Sequence, residues 1–182
     1  DAVLEYCKTH SDVDYVHIWL ADWQNNCCEC EECRKLRTSD YYVRMLNELD
    51  EKLEKEGLDT KIVFLMYTGL LWAPLKERFK NHKRFVLMFA PISRTYTHPL
   101  AKPETNVPAP EYILNKIPEL KGVDENLALL RDWQAVSDGD TFIFDYYYCS
   151  EYVQELTNWG TAQIANKDIK AYHELGLNGL VN

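Results

Sequence analysis

Four apolar runs, residues 15–21 (YVHIWLA), 61–67 (KIVFLMY), 84–90 (RFVLMFA) and 141–147 (TFIFDYY), punctuate the chain at intervals filled by segments of helical period. They are continuous rather than alternating, as in strands buried on both faces of a parallel sheet that carries helices outside it. After residue 37, Thr38 or Ser39 is placed to cap a helix in which Tyr42, Leu46, Leu49 and Leu53 recur, with Gly57 as its stop. A short helix is expected around residues 74–81, with Pro74 in its first turn. Asp124 and Asn126 open a helix carrying Leu127, Leu130 and Trp133, and another runs from about 161 to 175 before Gly176. The first residues, Ala2, Val3, Leu4 and Tyr6, already have helical character, and residues 179–181 have the look of a fifth strand. The fold class is α/β, either an open doubly wound sheet or a partial (β/α)8 TIM barrel of about four to five βα units with parallel strands. A whole barrel needs roughly 250 residues, so 182 residues read as a single domain forming part of one, cut from a longer protein.

Residues 91–122 break the rhythm. Six of the seven prolines lie between Pro91 and Pro118, which describes a long shaped loop of the kind that is usually functional. No G-x-G-x-x-G or P-loop follows any strand, no G-x-S-x-G elbow exists, and H-E-x-x-H is absent. Net charge is −9 without a basic tract, which argues against nucleic-acid partners. No apolar run is long enough for a membrane span.

In both candidate architectures ligands bind at the carboxyl ends of the strands. The ends carry Asp22 and Trp23, then Tyr67, Thr68 and Trp72, then residues 90–98 with Arg94, Tyr96 and His98, then Asp145, Tyr146 and Tyr147. Asp22 and Asp145 form the expected catalytic pair, since glycosidic cleavage needs one carboxyl as proton donor and another as base or nucleophile. Arg94 suits a substrate carboxylate or sugar hydroxyl, and Trp23, Tyr67, Trp72, Tyr96, His98 and Tyr147 complete the expected substrate-binding set. Each has a plainer role open to it. Either aspartate could cap a helix or order a loop, Arg94 could pair with an acid in the long loop, and His98 could hydrogen-bond within its loop. His17, inside the first run, reads as a satisfied core histidine, and Asp40 and Asn47 as exposed or capping residues of the first long helix.

Four of the six cysteines fall within residues 27–33, and Cys28, Cys30 and Cys33 form C-x-C-x-x-C. This is one metal knuckle, whereas a structural zinc wants four ligands. Cys27, the distant Cys149 or a histidine could supply the fourth. Zinc, a disulfide and free thiols all stay open, and an exposed reactive cluster would make redox or metal sensing the function.

The segments W-L-A-D (Trp19 to Asp22), C-x-C-x-x-C, S-D-Y-Y-V-R-M-L-N (Ser39 to Asn47), F-A-P-I-S-R-T-Y-T-H-P-L (Phe89 to Leu100) and E-L-G-L-N-G (Glu174 to Gly179) together resemble the bacterial domain-of-unknown-function family 4838. That family is counted among barrel glycoside hydrolases and is similar to α-glucuronidases and β-hexosaminidases. The resemblance implies a TIM-barrel domain acting on polysaccharide, uronic-acid-containing glycans among them, of which this chain is the carboxyl-terminal half. Hydrolysis would need no cofactor, and zinc at the cysteines would be structural. It also implies a carbohydrate ligand, a periplasmic or extracellular parent, and association with a second copy or with the missing part of the barrel. A non-catalytic carbohydrate-binding module on a degenerate barrel is the alternative from another class.

Overall fold

The computed structural model describes residues 2–22, 26–100, 107–116, 120–147 and 159–181. Element order is α1 (Ala2–Thr9), β1 (Tyr15–Ile18), α2 (Thr38–Lys55), β2 (Lys61–Met66), β3 (Phe85–Phe89), α3 (Val123–Gln134), β4 (Asp140–Phe144), α4 (Trp159–Tyr172) and β5 (Leu180–Val181), with 3₁₀ turns at Cys33–Lys35, Thr68–Leu70 and His82–Arg84. All strand pairs are parallel, and spatial order follows chain order, β1-β2-β3-β4-β5. A doubly wound sheet reverses its order at a switch point; this one does not.

The helices confirm the distinction. Ile62, Phe64 and Met66 of β2, Phe85, Leu87 and Phe89 of β3, and Ile143 of β4 form one cluster with Cys7 of α1, Leu46 and Leu53 of α2, Leu127 and Trp133 of α3, and Tyr172 of α4. Residues of the opposite parity, Val63, Leu65, Val86, Met88 and Ala90, form a smaller cluster with Tyr67, Phe142, Phe144 and Tyr146. All four helices among the described residues therefore cover one face, and the other faces inward. This is a partial βα-barrel-like arrangement. No helix among the described residues is long and apolar enough to cross a membrane.

Two glycines are dictated by backbone. Gly57 ends α2 at φ +69°, and Leu58 N–H returns to Leu53 C=O at 3.0 Å. A Cβ at Gly139 would lie 2.2 Å from the Phe85 carbonyl oxygen, so only glycine lets β4 begin against the start of β3.

Some boundaries differ from those the sequence suggests, each for a nameable reason. β1 stops at Ile18 rather than continuing to residue 21. By the β2–β3 register, where Ala90 N–H follows Met66↔Phe89 onto Met66 C=O, the next bond between β1 and β2 would join Leu65 N–H to Ile18 C=O. The hydroxyl of Tyr42, on α2, takes that place. It donates to Ile18 C=O and accepts from Leu65 N–H at 3.2 Å. The strands separate beyond this wedge.

The expected helix at 74–81 does not form. Asp40 instead draws the segment onto α2, accepting the amides of Leu75 (3.1 Å), Lys76 (2.7 Å) and Glu77 (2.9 Å). Asn47 adds bonds to Arg78 C=O and from Lys80 N–H, and Asp50 binds Arg84 Nε at 2.7 Å. Asp40 and Asn47 are thus buried, not exposed. The cap of α2 sits at Arg37, whose amide donates to Asp40, rather than at Thr38 or Ser39. His17 is exposed on the inward face beside Trp19, ring centroids 5.5 Å apart, so it is no core histidine.

Candidate functional site

Where β1 and β2 part, a cavity of about 390 Å³ opens on the inward face at the carboxyl ends of the strands. That volume suits one or two sugar-sized rings among ordinary ligand pockets. Trp19, Leu20, Ala21 and Asp22 form one wall, Leu65, Tyr67 and Thr68 another, and Met88, Ala90, Phe144 and Tyr146 the floor and far side. The chemistry of the lining is simple. Trp19, Tyr67, Phe144 and Tyr146 offer rings, Asp22 is the one carboxylate, and no cation is present among the described lining residues. Thr68 adds a strained feature. It is β-branched yet sits at φ +44°, a conformation costing on the order of 1–3 kcal/mol and concentrated at functional sites.

Of the residues expected at the site, Asp22 and Tyr67 line this cavity. Asp145 and Arg94 come together elsewhere. On β4 the inward positions are Phe142, Phe144 and Tyr146, whereas Asp145 continues the parity of Ile143, which belongs to the helix side. There Asp145 is 1% exposed and fully engaged. Arg94 Nη2 donates to it at 3.0 Å, Tyr96 at 2.6 Å and Tyr172 at 2.8 Å, and the Tyr146 amide at 2.9 Å. Arg94 also reaches Asp168 of α4 at 2.8 Å, and Tyr147 donates to the same carboxylate at 2.7 Å. The guanidinium lies over the rings of Tyr96 (4.3 Å) and Tyr147 (5.3 Å). Burial opposes the charge on Arg94, but Asp145 and Asp168 outweigh it and raise its pKa; burial, then Asp145, push Tyr96 and Tyr147 far above the ordinary phenol range, as they do Tyr172.

The expected convergence of Asp22, Arg94 and Asp145 in one cleft is therefore not what the geometry supports. Asp145 has no oxygen left for a substrate, and Arg94, Tyr96 and Tyr147 are its buried partners. The cluster pins the loop after β3, and Leu100 through its amide, onto α4. Trp72, also expected to bind substrate, is 2% exposed. It gives its indole N–H to Pro110 C=O at 2.7 Å and meets Tyr112 edge-on, bracing the long loop. His98 is exposed and bonds to Thr97 Oγ1 at 2.8 Å, away from the cavity lining. Trp23 lies outside the described residues, as does Cys149. Trp19 and Tyr146 are the site residues that strand-end reasoning left out of the substrate set. Counting parity from Phe142 along β4 would have selected Tyr146 over Asp145 and Tyr147.

Beyond Asp22, the cysteine loop follows the cavity wall. The sulfurs of Cys28, Cys30 and Cys33 all lie within 4.8 Å of one another, close enough to bind one metal ion. Among the described residues no two cysteines are joined by a disulfide. Amides and neighbouring thiols, led by the Cys33 amide, pull the Cys30 pKa down to about 7, and hydrogen bonding to Cys30 and Cys28 pushes that of Cys33 up to about 11. Asn115, at φ +60° in the long loop, holds the knuckle in place by accepting from Cys27 N–H at 2.8 Å and donating to Cys27 C=O at 3.0 Å.

A family model, the domain of unknown function DUF4838, matches residues 1–182. This chain belongs to that family. No curated protein and no solved structure matches it.

Proposed function

We propose that this DUF4838 chain is a glycoside hydrolase-like domain that takes a polysaccharide segment into the cavity between β1 and β2. The observation that carries this reading is the lining itself, in which Trp19, Tyr67 and Tyr146 share the cavity with Asp22, the one carboxylate among the described lining residues. Aromatic faces stack on sugar rings, and a carboxyl group beside them can donate a proton to a glycosidic oxygen or act as base. Asp22 takes that role. The pair that glycosidic cleavage requires is completed by a carboxylate other than Asp145, which stays behind the wall as the counter-charge of Arg94. Because no cation lines the cavity among the described residues, neutral glycans fit it better than uronic acids, whose carboxylates would face Asp22. The reaction calls for no cofactor.

A second reading, a non-catalytic carbohydrate-binding module, is favoured by the same count of one carboxylate in the lining. Asp22→Asn separates the two when wild type and variant are run against a panel of neutral and uronic polysaccharides. Loss of hydrolysis by 100-fold or more, roughly the lower range for removing an acid-base group, with binding retained, supports the enzyme. Binding without turnover in wild type supports the module. Absence of both removes the carbohydrate reading altogether.

The inward face and the outer strands β1 and β5 are each covered on one side only among the described residues. Further barrel strands or a second copy complete the face in this proposal, and an exported parent protein belongs to it as well.

A further inference from the structure

We propose that Cys28, Cys30 and Cys33 are the ligands of one thiophilic divalent cation of the zinc class. Tetrahedral coordination at about 2.3 Å sets ligand sulfurs about 3.8 Å apart. The three sulfurs already lie within 4.8 Å of each other, about 1 Å or less from the spacing that coordination needs. A disulfide uses two sulfurs and gives no reason for a third to converge.

The backbone around the thiols is shaped for the same end. Arg34 N–H donates to Cys30 C=O at 3.0 Å, and the 3₁₀ turn Cys33–Lys35 follows at once. That turn brings Cys33 back beside Cys30, the return that a C-x-x-C knuckle makes around one ion. Within the loop Glu29, Glu31 and Glu32 balance Arg34, Lys35 and Arg37 in charge, so ionised sulfurs would supply the attraction for a cation. Glu29 is occupied by Arg34 at 2.7 Å and by Asn115 at 2.8 Å, and Asn115 also fixes the Cys27 backbone. The fourth neighbouring cysteine is turned away, its sulfur 3.2 Å from Thr38 Oγ1. Three protein ligands therefore leave one position for water or for a group brought by another molecule, on the side where Cys28 and Cys30 are exposed. The ion would fasten the segment linking the Asp22 wall to α2.

The test uses the whole chain, reduced and freed of metal, with zinc or cobalt ions alone as probe. One zinc per chain is expected, together with a sulfur-to-cobalt charge-transfer absorption, protection of three thiols from a disulfide reagent, and a raised unfolding midpoint. Cys30→Ser and Cys33→Ser should weaken zinc binding by more than the roughly 10–100-fold that second-shell changes cost, while Cys27→Ser leaves it unchanged. The inference is overturned if reduced wild-type protein takes up no stoichiometric zinc, if Cys30→Ser binds as well as wild type, or if Cys27→Ser abolishes binding. Wild-type stoichiometry decides the matter even if a variant misfolds.

Discussion

Tyr42 shows how one hydroxyl can shape a site. A phenol oxygen both donates and accepts, so it can stand between a carbonyl and an amide that would otherwise bond to each other. Between Ile18 and Leu65 it keeps both backbone groups satisfied while holding the strands apart. Tyr42→Phe leaves the buried Leu65 amide and the part-buried Ile18 carbonyl to re-pair across the gap or stay unsatisfied, at a cost of about 1–3 kcal/mol. Urea unfolding should show that loss, and affinity for any cavity ligand should fall as β1 closes toward β2. Unchanged stability together with unchanged affinity would mean that the wedge does not set the cavity. Tyr146 and Asp145 make a related point. They are adjacent in sequence and face opposite sides of the sheet, one toward the cavity and one toward α4.

At the scale of elements, α2 organises more of the molecule than its apolar stripe announces. Leu46 and Leu53 join the core, as their spacing foretells. Asp40, Asn47 and Asp50 form a second, polar seam that binds the backbone or side chains of residues 75–84. Asp40 is the strongest member. Burial alone would raise its pKa, but the amides of Glu77, Lys76, Arg37 and Leu75 prevail and hold it below the usual aspartate value. A folded-state pKa below the unfolded value stabilises at every pH above the unfolded value and loses that contribution as pH falls through the folded one. Asp40→Asn should accordingly cost about 1–3 kcal/mol at neutral pH, with the gap to wild type narrowing below about pH 4. A gap that stays constant down to pH 2 would show that charge on Asp40 is irrelevant.

For the molecule as a whole, the buried cluster around Arg94 joins pieces far apart in the chain: the loop after β3, the end of β4 and α4. Two carboxylates share one guanidinium and three phenols. Removing the cation leaves both acids uncompensated in the interior, which typically costs 3–5 kcal/mol. Arg94→Met should therefore lower the urea midpoint sharply, and a marginal domain would unfold. Should the variant keep wild-type stability and lose only glycan binding, Arg94 would be a substrate ligand after all.

The chain's pattern by itself settled the parallel α/β class, because continuous apolar runs separated by amphipathic helices have few ways to bury themselves. It also located the cysteine knuckle and the Asp22 strand end, both of which depend on residues close in sequence. What tertiary structure alone decided is which way the strand ends point and which polar groups they meet. A one-residue step along a strand reverses the face, so Asp145 went to the helix side although its position in the run looked like that of Asp22. The helix missing at 74–81 has the same origin. Three amides converging on Asp40 across more than thirty residues outweigh a local preference for helix, and no short window of sequence contains both partners.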